Sequence, residues 1–201
     1  QQAVLDAGVP IRMGVTVEEI NDDPNSPVVD VAFTDGTSGQ FDVVVGADGI
    51  RSKVRSLVFD DVQPQFPGYS NWRVVLPKPD EIDHPTWMYG NGTSMGIIPL
   101  GEDIIYLAGV TKEPDNPRYE RGELPSLMRR KFAMYGGAIP GLLEQVTEGD
   151  QIVYTPVEEI LMAPPWHQGR VVVVGDAAHA STPFWAQGAS MAVEDVIALA
   201  S

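Results

Sequence analysis

Apolar positions along this chain change period several times, and each change marks an element. Gln1 to Ala7 reads as a helix, with Gly8 as its cap and a strand around Ile11 after it. Residues 11–20 and 28–34 look like strands joined by the loop Asn21 to Pro27. Asp35-Gly36 is a hairpin-turn signal, a strand over 41–46 follows it, and residues 50–58 look helical. From about Val62 the character shifts. Pro64, Pro67, Pro77, Pro79 and Pro85 punctuate short apolar runs at 72–76, 86–89, 94–98 and 103–108, which read as antiparallel strands. Glu123 to Met134 and Ile139 to Val146 have the spacing of amphipathic helices, and Ile152 to Glu158 is one more strand. Val171 to Val174 is different: four β-branched residues in a row predict a buried parallel strand. That strand stops at Gly175, and a loop containing Pro183 leads into an alanine-rich helix from near Gly188.

In an open α/β sheet, ligands collect outside the carboxyl end of a strand, against a helix N-terminus. Asp176 at such a place can accept hydrogen bonds from sugar-like hydroxyls. The unpaired N–H groups around Gln187, Gly188 and Ala189 can hold a partial negative charge. Phe41 to Arg55 repeats the design, with a strand, a turn containing Gly46 and Gly49, and a basic helix start.

These two segments resemble the class A flavoprotein monooxygenases, the aromatic hydroxylases of the para-hydroxybenzoate and salicylate hydroxylase type. Gly175-Asp-Ala-Ala-His179, Pro183, Gln187-Gly188 and Glu194-Asp195 match the family's second flavin-contact motif. Ala186 and Ser190 stand where many members have Gly and Asn. Asp48, Gly49, Ser52 and Arg55 match its Asp-Gly motif. The resemblance implies an α/β (α+β) architecture: a partial FAD-binding Rossmann-like domain with an inserted antiparallel substrate sheet whose face covers the flavin ring. Residues 1–61 and 166–201 would form the FAD part and 62–165 the substrate part. The fingerprint Gly-x-Gly-x-x-Gly after a first strand is absent. The chain is therefore expected to be a truncated piece of a longer enzyme, lacking the first βαβ unit.

The implied reaction is hydroxylation of a small aromatic or heteroaromatic substrate by O2 through a flavin C4a-hydroperoxide, with NADH or NADPH as reductant. The implied cofactor-side residues are Asp48, Gly49, Arg55, Gly175, Asp176, Pro183, Gln187, Gly188 and Ala189. Asp48 could instead merely end a strand, and Arg55 matches a position that is more structural than ligand-binding. Arg73 could pair with a substrate carboxylate or be a surface strand arginine. Trp185 is a candidate wall of the active site. Trp87, Tyr89, Met95 and Tyr106 could line an aromatic pocket or be ordinary sheet core. No residue is assigned a catalytic role, and His179 reads as structural. Two alternatives stay open: another flavoprotein oxidoreductase on the same scaffold, or a non-catalytic small-molecule-binding module.

Composition narrows the partners. A net charge of −15 argues against nucleic acid and anionic membranes. No apolar run is long enough for a membrane span. Zero cysteines exclude disulfides and thiolate catalysis and fit a reducing, cytoplasmic setting. Three scattered histidines give no metal site.

Overall fold

The computed structural model describes residues 2–59 and 62–201, which divide into two compact units, 1–65 with 159–201 and 66–158. The first unit begins with α1 (Gln2–Asp6), which buries none of its residues. Gly8 follows at φ +75°, and its amide donates to the Leu5 carbonyl at 2.9 Å. The strand expected from residue 11 starts only at β1 (Val17–Asn21). Met13 is exposed and Gly14 sits at φ +73°, so the chain turns there instead of extending. β1 pairs antiparallel with β2 (Val29–Phe33), and β2 with β3 (Ser38–Phe41), giving a three-stranded meander.

The strand expected over 41–46 is two pieces. Phe41 ends the meander with its ring edge-on to Phe33 at 6.1 Å. β4 (Val44–Gly46) then enters a different sheet. The helix α2 (Lys53–Val58) lies against it so closely that a Cβ on Gly46 would stand 2.8 Å from Val54 Cβ. Val45 is exposed, so β4 is buried on one face only.

The second unit is built on a five-stranded antiparallel sheet of β5 (Tyr69–Pro77), β6 (Thr86–Tyr89), β7 (Thr93–Pro99), β8 (Ile104–Lys112) and β9 (Val153–Pro156), in the order β6-β7-β8-β5-β9. Side chains alternate across a strand. Trp72, Val74, Leu76, Met95, Ile97, Ile105 and Leu107 all point to one face. On that face they form a core with α3 (Leu124–Lys131) and α4 (Ile139–Glu144), through Met128, Phe132, Ile139 and Leu142. Met95, one candidate for an aromatic pocket, is thus core. Glu113, almost fully buried, accepts from Thr111 Oγ1 and pairs with Lys131 Nζ, both at 2.7 Å. Burial acts to lower the Lys131 pKa, but its bonds to Glu113 and Tyr119 outweigh this and hold it above the usual value.

The return segment carries β10 (His167–Gln168), β11 (Val171–Val173), α5 (Asp176–His179) and α6 (Gly188–Ala200). β11 is the middle strand of a small sheet, antiparallel to β10 and parallel to β4, with Val171 opposite Val44 and Val173 opposite Gly46. Val171 and Val173 are fully buried beside Val29, Val31, Val54, Ala177 and Ala178. The division falls at 65/66 and 158/159, where the sequence pattern had suggested 61/62 and 165/166. The reason is a two-way backbone bridge: Gln65 N donates to Glu159 O at 2.8 Å, and Glu159 N donates to Gln65 O at 2.9 Å. Ile160 and Met162 then donate to the carbonyls of Ala180 and Ala178 in the first unit, so residues 159–165 belong there. No helix of the described residues is long and apolar enough to cross a membrane.

Candidate functional site

The carboxyl ends of β4 and β11 lie side by side, and the chain leaves both by tight turns. Gly49 follows β4 at φ +82°, and Gly175 follows β11 at φ +58°. A Cβ on Gly175 would stand 3.1 Å from Ala192 Cβ, so glycine serves both the backbone conformation and the close approach of α6. Between these turns, the loop Ser181–Pro183 and the start of α6 opens a cleft of about 680 Å³. Gly49, Gly175, Asp176, Pro183, Gly188 and Ala189 border it; Asp48, Arg55 and Gln187 do not.

Asp176 is exposed at the cleft, and its carboxylate has no hydrogen-bond or ion-pair partner among the described residues. Opposite it, α6 begins without a side-chain cap on Gln187. The first backbone bond of that helix runs from Met191 N to Gln187 O at 3.0 Å, which leaves the amides of its first turn unpaired within the helix. Gly188 brings the two sides together: a Cβ there would lie 3.9 Å from Asp176 Oδ1 and 3.8 Å from Ser181 Oγ. The cleft thus offers a carboxylate acceptor on one side and amide donors with a favourable helix dipole on the other.

Two residues expected at the cofactor do something else. The Asp48 carboxylate accepts from Ser52 Oγ, from Lys53 N at 2.7 Å and from Val54 N at 3.0 Å. Ser52 Oγ accepts from Arg55 N at 2.9 Å. Together they close the N-terminus of α2, so the side chain of Asp48 caps a helix where a ligand contact had been expected. Arg55 is buried and donates to Ala177 O at 2.6 Å and Ile50 O at 2.7 Å. Its guanidinium ties the first motif to the second.

The second motif is clamped from its other side by Asp195. Its Oδ2 accepts from Gly175 N at 2.7 Å and from His179 Nε2 at 2.6 Å. His179 is buried, with its ring 4.9 Å from that of Trp166. Its place is structural, as the sequence suggested, and the structure adds Asp195 as its anchor. Trp185 falls in the 3-10 turn Pro183–Trp185, and its side chain lies outside the described residues. Arg73 is on β5 in the second unit. Sequence reasoning missed Ala47, Ser181 and Ala186 as cleft residues. Ala186 adopts φ +51°, a left-handed conformation that favours glycine. Among the described residues no cluster of three or more acidic or histidine side chains could hold a metal ion.

Comparison with known proteins meets this geometry from outside. The Stigmatella aurantiaca aurachin C monooxygenase/isomerase is 34% identical over 190 residues, covering 94% of this chain and 49% of that protein. The FAD-dependent urate hydroxylase of Mycolicibacterium vanbaalenii is 33% identical over 195 residues, covering 94% and 49%. The crystal structure of Klebsiella pneumoniae HpxO complexed with FAD and uric acid superposes with a TM-score of 0.85 at 26% identity, over 98% of this chain and 51% of that one. The chain spans about half the length of the curated relatives it matches. The family model described as "FAD binding domain" matches residues 1–201, and the chain belongs to that family.

Proposed function

We propose that this chain is the part of an FAD-dependent monooxygenase that holds the flavin and receives a small aromatic or heteroaromatic substrate for hydroxylation. The observation that carries the reading is the pairing of an unpartnered Asp176 carboxylate with the uncapped start of α6 across one cleft. That donor and acceptor set fits FAD: the carboxylate suits ribityl hydroxyls, and the amides of Gly188 and Ala189 suit the edge of the flavin that gains negative charge on reduction. FAD, when bound, supplies electron transfer from NADH or NADPH and the activation of O2.

The chain's own residues do the rest. Gly49 and Gly175 keep side chains off the cofactor's path. Pro183 fixes the backbone of the loop bordering the cleft and removes one N–H donor there. Arg55 holds the Gly175–His179 turn at its middle, through Ala177, and Asp195 holds it at both ends, so the site is set before any ligand arrives. Relatives named as monooxygenases and hydroxylases of aurachin and urate support the reaction class.

The decisive experiment follows NAD(P)H oxidation by the holoprotein under 18O2 with a panel of aromatic substrates. Substrate-dependent oxidation with one labelled oxygen in the product is expected. NAD(P)H oxidation without labelled product would assign a reductase, and retained ligand binding without flavin would assign a binding module.

A further inference from the structure

The chain has seven methionines, and their sulfurs are placed very differently. Met95, Met128 and Met162 are buried, and Met88 and Met191 are half-buried. Met13 is 78% exposed and Met134 is 60% exposed. Exposure alone ranks Met13 first, but hydrogen bonding singles out Met134. Thr93 Oγ1 donates to Met134 Sδ at 3.4 Å, and the same oxygen lies 2.7 Å from the Tyr135 hydroxyl. One hydroxyl hydrogen cannot point both ways, so with Thr93 donating to the sulfur, Tyr135 donates to Thr93. The result is a chain of two hydroxyls that ends on an exposed thioether. Among the described residues no hydrogen bond reaches the sulfur of Met13.

The fold holds this arrangement in place. Met134 lies in the turn after α3, between the buried residues Phe132 and Tyr135. Tyr135 N donates to Phe132 O at 3.1 Å, and the two rings stack at 6.2 Å, so the chain is pinned on either side of Met134. The Met134 side chain is laid over the turn between β6 and β7. A Cβ on Gly90 would stand 3.0 Å from both Sδ and Cε of Met134, and 2.7 Å from Thr93 Oγ1. Gly90 N donates to Thr93 O at 2.8 Å and closes that turn. The missing side chain at Gly90 thus seats sulfur and hydroxyl together. All of these residues belong to the second unit.

We infer that Met134 is a modification site, oxidised to the sulfoxide by hydrogen peroxide with the Thr93–Tyr135 hydroxyl pair as its proton relay. A sulfur lone pair takes one peroxide oxygen. The S–O bond forms as the O–O bond breaks; sulfur loses two electrons and the peroxide gains them. The departing oxygen develops negative charge and leaves as water with the Thr93 proton, and Thr93 recovers a proton from the oxygen now on sulfur. Tyr135, by donating to Thr93, makes the Thr93 hydroxyl the stronger donor. The sulfoxide oxygen is a better acceptor than a thioether, and sulfoxide reductases can remove it, so the change is reversible. The inference rests on the monooxygenase reading for the source of the oxidant, since reduced flavin that meets O2 without a substrate yields hydrogen peroxide. The site itself needs no flavin.

The test is graded hydrogen peroxide on the purified protein, flavin-free and FAD-loaded alike, with oxidation at each methionine read by peptide mass spectrometry. Met134 should oxidise several-fold faster than the more exposed Met13, an ordering that needs no variant to read. Thr93→Val, which keeps the shape and removes the hydroxyl, should bring Met134 down to the rate of Met13 or below. Thr93→Ser should keep the advantage, and Tyr135→Phe should reduce it. Met95 and Met128 should stay unoxidised in every folded variant, so they report unfolding in the same sample. The inference is overturned if Met13 outpaces Met134, or if the ratio of the two rates is unchanged in folded Thr93→Val. Oxidation of Met134 by added peroxide, with none during NAD(P)H-driven turnover, would keep the site and remove the flavin as its source, so either reading can fail alone.

Discussion

The two glycine-containing motifs of the first unit look alike as strings of residues and are used in opposite ways. In the first, Asp48, Ser52 and Arg55 all turn inward, to the amides of α2 and to the carbonyls of Ile50 and Ala177. In the second, Asp195 and His179 take the inward work, while Asp176 and the first amides of α6 stay turned to the cleft. One motif is a bracket and the other is the site it braces. A polar residue in a ligand-associated motif is thus informative only once its hydrogen-bond partners are counted.

Substitutions can break this contrast. The largest effect should come from Arg55→Met, which strips the donor from two carbonyls at a buried position. We expect a loss of about 2–5 kcal/mol in unfolding free energy, measured by urea titration of the apoprotein. A loss below about 1 kcal/mol would mean that the bracket is ornamental. Asp176→Ala should do the reverse. Apoprotein stability should hold within about 0.5 kcal/mol, while FAD binding weakens roughly 10–100-fold in a flavin fluorescence titration, the worth of one charged hydrogen bond. If stability falls and flavin affinity does not, the roles of the two motifs are not separable in this way.

Asp48→Ala removes acceptors from a helix start and should cost about 1 kcal/mol in the same urea titration. Gly188→Ala is the most discriminating of the small changes. The position has ordinary van der Waals room, with nothing nearer than 3.8 Å to a new Cβ, and alanine favours the helix. Thermal unfolding of the apoprotein should therefore show equal or slightly higher stability, by up to about 1 kcal/mol. Flavin affinity should fall, because the methyl group enters the cleft.

Much of this was legible in the sequence because it is periodic or punctuated. Four consecutive valines announced β11, Asp35-Gly36 announced the β2–β3 turn, and prolines separated the strands of the second unit. The elements that sequence misjudged depend on distant partners. Residues 41–46 are one apolar run, but Phe41 finds Phe33 and Val44 finds Val171, and the strand divides between two sheets. Arg55 is ambiguous in the sequence, a basic residue at a helix start, and its burial depends on Ala177, which arrives from 122 residues away. The cleft glycines and Asp176 were found because turn chemistry is local. Asp195 as the anchor of Gly175 was not, since it approaches from the far side of the loop.

The first unit is assembled from two stretches separated by the whole of the second, and its strands β4 and β11 become neighbours only when residue 171 meets residue 44. During synthesis from the N-terminus, residues 66–158 are complete before that meeting is possible. The inserted sheet and its helices can condense first and shorten the effective loop that the later closure must span. Hydrogen-exchange protection should then develop on β5 and β8 before it develops on β11. The cleft where β4 and β11 end would be the last part of the fold to form.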